Sequence, residues 1–495
     1  MKKIIVIGGG IAGLSAGVYA QKCGFDVTVL ESHSVAGGIC TSWKRGGYLF
    51  EGGMHWLAGS GEREALHKCW RHVGALDDGV AIRYAEPFIE FEHGGEPIRL
   101  YRDVDETERR LLEIAPRDAK EIKTFCGCIR KVARAEMPIA DLRGVRMAKG
   151  KRARASPRSI LSLLPAARVM AAYSGLPRKQ YASRFSHAGI REMLLAMPGS
   201  EQGIAMLFMT MGALARGDGG FPEGGSLPFV KRIVDAFEAA GGKLELNARA
   251  ERVVVERGRA TGAAVAGSFV PADAVIVATD TMAIDSLFDD PPKAPWLDRM
   301  RAATGPTSAT FVSLGIAADL GGRPERPLVR LPRPISLAGR AHESLLLANY
   351  AGDRAYSPEG KTALTAQLPG DSRAFWKKAR EEGRYAGEKR RVADELAAVL
   401  AGIMPETSGR VEVADVATPL TYERYCGSWK GSWMTEIRRD TRFAAYPPAV
   451  PSLAGAYFAS HRMMPPGGLP PALLSGRAAV QRLCIDAGAA FVGED

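Results

Sequence analysis

Residues 3–31 read KIIVIGGGIAGLSAGVYAQKCGFDVTVLE. Lys3–Ile7 is a β-branched run of the kind that fills a fully buried parallel strand. Gly8-Gly9-Gly10-Ile11-Ala12-Gly13 then fits G-x-G-x-x-G, a helical stretch follows to Cys23, Gly24 breaks it, and a second strand, Asp26–Leu30, ends at Glu31. Each position has a physical job. Gly8 permits the tight turn, Gly10 lets backbone approach a pyrophosphate at the helix N-terminus near Ala12, and Gly13 allows close helix–strand packing. Glu31 can accept hydrogen bonds from an adenosine ribose and would repel a 2′-phosphate, which disfavours NADP. Strand, loop, helix, strand and acid in this order predict a dinucleotide site on a Rossmann-type α/β fold.

The next stretch separates NAD from FAD. Ser32 follows the acid, then come Val35-Ala36-Gly37-Gly38-Ile39-Cys40 and Gly46-Gly47-Tyr48-Leu49-Phe50-Glu51-Gly52-Gly53-Met54-His55-Trp56. Further on stand Phe221-Pro222-Glu223-Gly224-Gly225-Ser226 before an amphipathic helix, ADAVIVATD at 272–280, and YFASHRMMPPGGL at 457–469 before a helix-like PPALLSGRAAVQRLC. This set resembles the phytoene desaturase, carotenoid isomerase and retinol saturase family, a branch of the flavin amine oxidase superfamily. Ile39 stands where many amine oxidases carry arginine, and the Gly37, Gly38, Cys40 pattern is more similar to the isomerase and saturase branch.

The resemblance implies FAD as cofactor. It assigns cofactor contacts to Gly8, Gly10, Ala12, Gly13, Glu31, Ser32, Gly37, Gly38 and Met54, a backbone contact to adenine near Val253, and Gly467, Gly468 and Leu469 beside the isoalloxazine. It places His55 on the flavin-facing segment, where it is the candidate catalytic group. It also implies an FAD-binding domain built from three discontinuous segments, 1–65, 219–290 and 415–495, with an interleaved α+β substrate domain from 66–218 and 291–414. Within the second insertion, 321–334 is rich in Pro, Gly and Arg and reads as a loop, as does 152–157.

Composition narrows the rest. The chain has 495 residues, 46% hydrophobic and 24% charged, which excludes a disordered, collagenous or coiled-coil protein. Seven dispersed cysteines, an odd number without paired CxxC motifs, argue against a disulfide scaffold or zinc site and for a reducing cytosol. No HExxH or HxxxH spacing predicts a metal centre, and no G-x-S-x-G elbow supports a hydrolase. No run is long and apolar enough to span a membrane. A second G-x-G-x-x-G is missing, so electrons are expected to come from or go to another, unidentified carrier.

Lys and Arg total 66 against 55 Asp and Glu, and the whole excess of eleven falls within residues 143–184, which contain no acid. Inside that window, 159–177 (SILSLLPAARVMAAYSGLP) is apolar between basic clusters. Such a stretch reads as an interfacial element on an anionic membrane. A solvated basic loop is the plain alternative, and no binding motif supports nucleic acid.

The leading expectation is an FAD-dependent enzyme acting on carbon–carbon double bonds of an apolar isoprenoid or polyene, by desaturation, saturation or isomerisation. It would be cytoplasmic, with peripheral contact on the inner face of the cytoplasmic membrane. An amine oxidase-like or porphyrinogen oxidase-like enzyme is the second reading. A non-catalytic, membrane-associated flavoprotein is the third.

Overall fold

The computed structural model describes residues 1–135, 139–150, 157–197, 203–438 and 445–494. Its first sheet has five parallel strands in the order Ala456–Phe458, Ala274–Val277, Lys3–Ile7, Asp26–Leu30 and Lys243–Glu245. Side chains alternate across a strand, so the first strand feeds two cores. Ile4 and Val6 face the fingerprint helix Ile11–Lys22 together with Phe229, Phe237, Leu473 and Val480. Ile5 and Ile7 face Val253, Ala263, Trp296 and Phe458 on the other side. The fold is thus of the predicted α/β class, with a Rossmann-type sheet.

The helix Leu469–Ala487 crosses the fingerprint helix where a Cβ on Gly476 would overlap the carbonyl oxygen of Ala12. Glycine there lets the two backbones touch, which locks the chain's last helix onto its first.

A second sheet has seven strands in the order Val411–Ala417, Ala309–Ile316, Thr362–Pro369, Arg340–Asn349, Pro327–Leu337, Ile89–His93 and Glu96–Leu100. All neighbours are antiparallel except Pro327–Leu337 against Ile89–His93. Val411–Ala417 runs across the boundary expected at 415. Helices from 104 to 215 cover one part of this sheet, and Arg373–Glu381 and Tyr385–Ile403 cover another.

One expectation is corrected. Residues 327–334 are not loop but most of an eleven-residue strand. Pro332 and Pro334 sit where pairing with Arg340–Asn349 breaks, between Arg330 and Ile335. An irregularity tolerates residues that cannot donate to a ladder. The other expected loop, 152–157, lies outside the described residues except for Pro157, which opens the helix Pro157–Tyr173.

Candidate functional site

The fingerprint loop is shaped by two glycine clusters pressed together. Gly8 has φ +107°, and a Cβ on Gly13 would overlap the Gly8 carbonyl oxygen. Gly37 donates its N–H to the Gly9 carbonyl at 2.8 Å and bridges Gly10. A Cβ on Gly38 would come within 3.2 Å of the Gly10 Cα, whereas one on Gly10 itself would meet nothing nearer than 3.8 Å. Space is left on that side, at the start of the helix. Gly10 caps the helix without a side-chain bond, so the first turn's N–H groups await an acceptor.

Glu31 is buried. Its Oε2 accepts the Gly9 N–H at 2.7 Å and its Oε1 accepts the His33 N–H at 2.8 Å and the exposed Ser32 hydroxyl at 3.3 Å. The Ala248 N–H donates to the Glu31 carbonyl at 2.8 Å, tying the strand that carries Val253 to this end. Val253 lies on the edge strand of a small three-stranded sheet.

A second centre forms around Met54 and His55. Buried Glu51 organises it, accepting from the N–H groups of Gly52, Gly53 and Met54 at 3.1 Å each, from the Ser226 hydroxyl at 2.6 Å and from Tyr356 at 3.1 Å. Burial pushes its carboxyl upward, against the pull of these donors. Glu51 thereby fixes the segment entering His55 and the start of the helix Ser226–Ala239. The His55 ring stacks on Phe311 at 5.7 Å and meets Trp433 edge-on at 5.5 Å. Burial, with the Arg326 guanidinium nearby, drives its imidazole down to about 3.

Trp433 leads to the C-terminal glycines. Thr435 donates its N–H to the Pro466 carbonyl at 2.9 Å. Gly467 and Gly468 take φ +96° and +101°, and a Cβ on Gly468 would meet only the Met434 sulphur, at 3.7 Å. Leu469 and two prolines then open the last helix, again with no side-chain cap. His461 lies against Gly467, and burial and adjacent Arg462 take its imidazole to about 3.

These residues fit a flavin dinucleotide. Two open helix N-termini are held together by the Gly476–Ala12 contact. Near them, His55 Nε2, Trp433 Nε1 and His461 Nε2 are buried without a hydrogen-bond partner among the described residues. Unsatisfied buried donors and acceptors are costly, and three around one region call for a polar ligand.

The candidate residues thus fall into a group around the fingerprint loop (Gly8, Gly10, Ala12, Gly13, Glu31, Ser32, Gly37, Gly38), a group around His55 and the C-terminal glycines (Met54, His55, Gly467, Gly468, Leu469), and Val253 on its own strand. The aromatic run 422–433 splits. Tyr422 is buried and donates to the Gly52 carbonyl at 2.6 Å, while Tyr425 is exposed beside His33. Sequence reasoning missed Asp280 and Arg462. Arg462 is fully buried and bonds both Asp280 oxygens at 2.8 and 2.9 Å, the Thr435 hydroxyl at 2.9 Å and the Ser432 hydroxyl at 2.8 Å. Burial would raise Asp280, but the guanidinium holds it below the usual carboxylate range. The only signal for this pair was an acid at a strand end and a lone arginine in a predicted cofactor loop.

A narrow cleft opens at His55, walled by Trp56, Phe88, Leu214, Phe221 and Tyr350. Arg83, Glu325, Arg326 and Asp353 complete it, and none was singled out from sequence. Arg83 pairs with Glu325 at 2.5 Å, Asp353 accepts the Gly224 and Ala355 N–H groups, and Arg326 donates to the His55 carbonyl at 2.7 Å.

Of the eleven cations in 143–184, Arg178 points inward to the Met197 carbonyl, so it is no part of a surface patch. Lys151, Arg152 and Arg154, and the side chain of Arg158, lie outside the described residues. Among the described residues no helix is long and apolar enough to cross a membrane, and no cluster could hold a metal ion.

A family model described as flavin containing amine oxidoreductase matches residues 11–484. Over 467 residues the chain is 22% identical to phytoene desaturase (neurosporene-forming) of Cereibacter sphaeroides, covering 88% of this chain and 85% of that one. It is 27% identical over 290 residues to phytoene desaturase (lycopene-forming) of Paracoccus sp., a match spanning 57% of this chain and about half, 55%, of that enzyme. A 53-residue stretch is 43% identical to all-trans-retinol 13,14-reductase of Danio rerio, 11% of this chain and 9% of that one. Among solved structures, an oxidoreductase from Methanosarcina mazei superposes with a TM-score of 0.59 at 15% identity, covering 97% and 100% of the two chains. Putrescine oxidase bound to putrescine gives 0.58 at 15%, covering 98% of each. At such identity the shared property is the fold.

Proposed function

The chain belongs to the flavin-containing amine oxidoreductase family and is an FAD-dependent oxidoreductase, and from that footing we propose that it acts on carbon–carbon double bonds of an apolar isoprenoid or polyene. The observation that carries this reading is the cleft at His55. Its inner wall is aromatic, and its histidine is neutral at physiological pH because its imidazole titrates near 3. The carboxylates that could receive a substrate ammonium are already engaged, Glu325 by Arg83 and Asp353 by backbone N–H groups. The phytoene desaturase and retinol reductase relatives favour the same substrate class.

In this reading Gly8, Gly10, Ala12 and Gly13 hold the pyrophosphate, Glu31 and Ser32 the ribose, and the Val253 backbone the adenine. Gly37, Gly38 and Met54 line the path to the ring, with Gly467, Gly468 and Leu469 beside it. The N-terminus of Leu469–Ala487, which has no side-chain cap, would favour negative charge on a ring held beside it. His55 would face the ring as a neutral polar group. FAD supplies the hydride or electron chemistry, and the protein supplies position and a dry site. The segments 1–65, 219–290 and 415–495 form the cofactor domain, and 66–218 and 291–414 the substrate domain, apart from the strand Val411–Ala417, which stays whole in the second sheet. Because the substrate dissolves only in lipid, the chain works at a bilayer surface on the cytoplasmic side.

The cleft holds only about 40 Å³ of free space, so a substrate enters only when wall side chains move. Trp56, 47% exposed, is the least buried of the large apolar side chains that wall it. Trp56→Ala is expected to lower KM for a long polyene several-fold while leaving the flavin spectrum unchanged.

The test is anaerobic titration of the holoprotein with a polyprenoid alkene, a polyene alcohol and simple amines, with products separated by chromatography. Bleaching by the alkene marks a desaturase, reoxidation of reduced flavin by a polyene a saturase, and cis–trans conversion with unchanged reduced flavin an isomerase. Bleaching by an amine alone overturns the reading. Arg326, which lines the cleft and has no carboxylate partner among the described residues, favours a porphyrinogen-type substrate with anionic side chains as the second candidate. Flavin inert to every member of the panel would point to the non-catalytic alternative.

A further inference from the structure

The helices Ala119–Ala133 and Pro157–Tyr173 pack together but leave a cavity of about 380 Å³ between them. Lys123, Gly127 and Lys131 recur every fourth residue, so they share one helix face and form one wall. Arg168 stands on the other wall. Thr124 and Ala172 are among the small residues lining it, and a Cβ on Gly127 would meet nothing within 4 Å. Among the described residues no carboxylate lines the cavity and none of its three cations has an ion-pair partner. Elsewhere this surface is laced with Arg–Glu pairs, as at Arg130–Glu108 on the same helix. An unneutralised cationic groove is therefore a feature of this place.

Beside the groove, Leu161 and Leu164 are 63% and 47% exposed on the outer side of the same helix that carries Arg168. A free phosphate would engage the cations and gain nothing from the leucines. A lipid surface meets both demands at once, its phosphates facing the cations and its acyl boundary the leucines.

We propose that the groove between these two helices receives the phosphate of an anionic phospholipid while Leu161 and Leu164 enter the bilayer boundary, which makes this helix pair the chain's docking surface on an anionic membrane. The choice of a bilayer rests on the apolar-substrate reading above. The contact is reversible, since a few cations and two leucines are far short of a permanent anchor.

Flotation of the FAD-loaded protein with vesicles tests it. Wild type is expected to float with phosphatidylcholine vesicles that contain phosphatidylglycerol and not with phosphatidylcholine alone. The combined Lys123→Gln, Lys131→Gln and Arg168→Gln variant should bind about 100-fold more weakly. Leu161→Asp with Leu164→Asp should lose flotation as well. Both variants should keep the wild-type flavin spectrum, which separates lost docking from lost folding. Undiminished flotation of the triple variant overturns the proposal. So does full displacement of wild type by millimolar inorganic phosphate with the leucine variant still floating, which would mark a free-anion site. A protein that turns over detergent-dispersed polyene yet never floats loses the docking surface and keeps its function. One that floats but whose flavin answers no substrate keeps the docking surface and loses the function.

Discussion

Arg462 shows how much rides on single side chains near the C-terminal glycines. Among the described residues its guanidinium is the one formal counter-charge bonded to Asp280, which also accepts the Trp429 and Met282 N–H groups and so ties the segment after Ala274–Val277 to the loops around 429 and 462. Removing one member of a buried pair strands the other. Arg462→Ala is expected to cost about 3–5 kcal/mol in urea unfolding, with Arg462→Lys recovering only part because it lacks the fork. The two buried histidines give a second residue-scale outcome. Folded His55 and His461 titrate near 3, below their ordinary 6.5. Between those values the unfolded chain takes up protons that the folded chain refuses, so stability falls as pH falls. His55→Gln should flatten part of the decline of Tm between pH 6.5 and 3. A slope identical to wild type would show that water reaches the ring.

Among elements, glycines that look alike in sequence separate sharply in consequence. Gly476→Ala would force the last helix off the fingerprint helix and is expected to cost about 1–3 kcal/mol and to loosen FAD. Gly387, inside Tyr385–Ile403 with open space around it, is the control, and Gly387→Ala should stabilise by about 0.5–1 kcal/mol. Thermal melts with and without added FAD read both. The same contrast explains what was legible beforehand. The fingerprint turn, the helix Ser226–Ala239 and the Gly467–Gly468 loop obey local rules, because a tight bend or an open helix N-terminus needs particular residues at adjacent positions. The strand Pro327–Leu337 was hidden because its prolines are excused by an irregularity that only a partner strand creates. The cleft was hidden because Arg83, Glu325 and Tyr350 meet only when distant segments fold together, and Asp280 and Arg462 are 182 positions apart.

For the molecule as a whole, closure depends on the two ends meeting. Arg477 holds Glu494 through bonds of 3.0 and 2.9 Å, Tyr19 of the first helix donates to the same carboxylate, and Arg477 also pairs with Asp141 at 2.7 Å. Burial opposes ionisation of Glu494, yet Arg477 and Tyr19 take it down to about 2 from an ordinary 4.5. Its folded value is depressed, so it stabilises the fold above 4.5 and that contribution is lost as pH falls toward 2. Glu494→Gln should therefore lower Tm at pH 7 and shrink the further loss on acidification below pH 4.5, as followed by differential scanning calorimetry.

The five-stranded sheet has a consequence in time. Lys3–Ile7 meets one neighbour, Asp26–Leu30, soon after it is made, but its other neighbour is Ala274–Val277, with Ala456–Phe458 one strand further out, and the helix that clamps the fingerprint follows later still. At about 5–20 residues per second, the nascent fingerprint waits roughly 20–90 s for its last partners. Flavin loading then waits until Ala456–Phe458 and the helix Leu469–Ala487 have been made, and a cell short of flavin would accumulate chains with this sheet complete and its crevice unfilled.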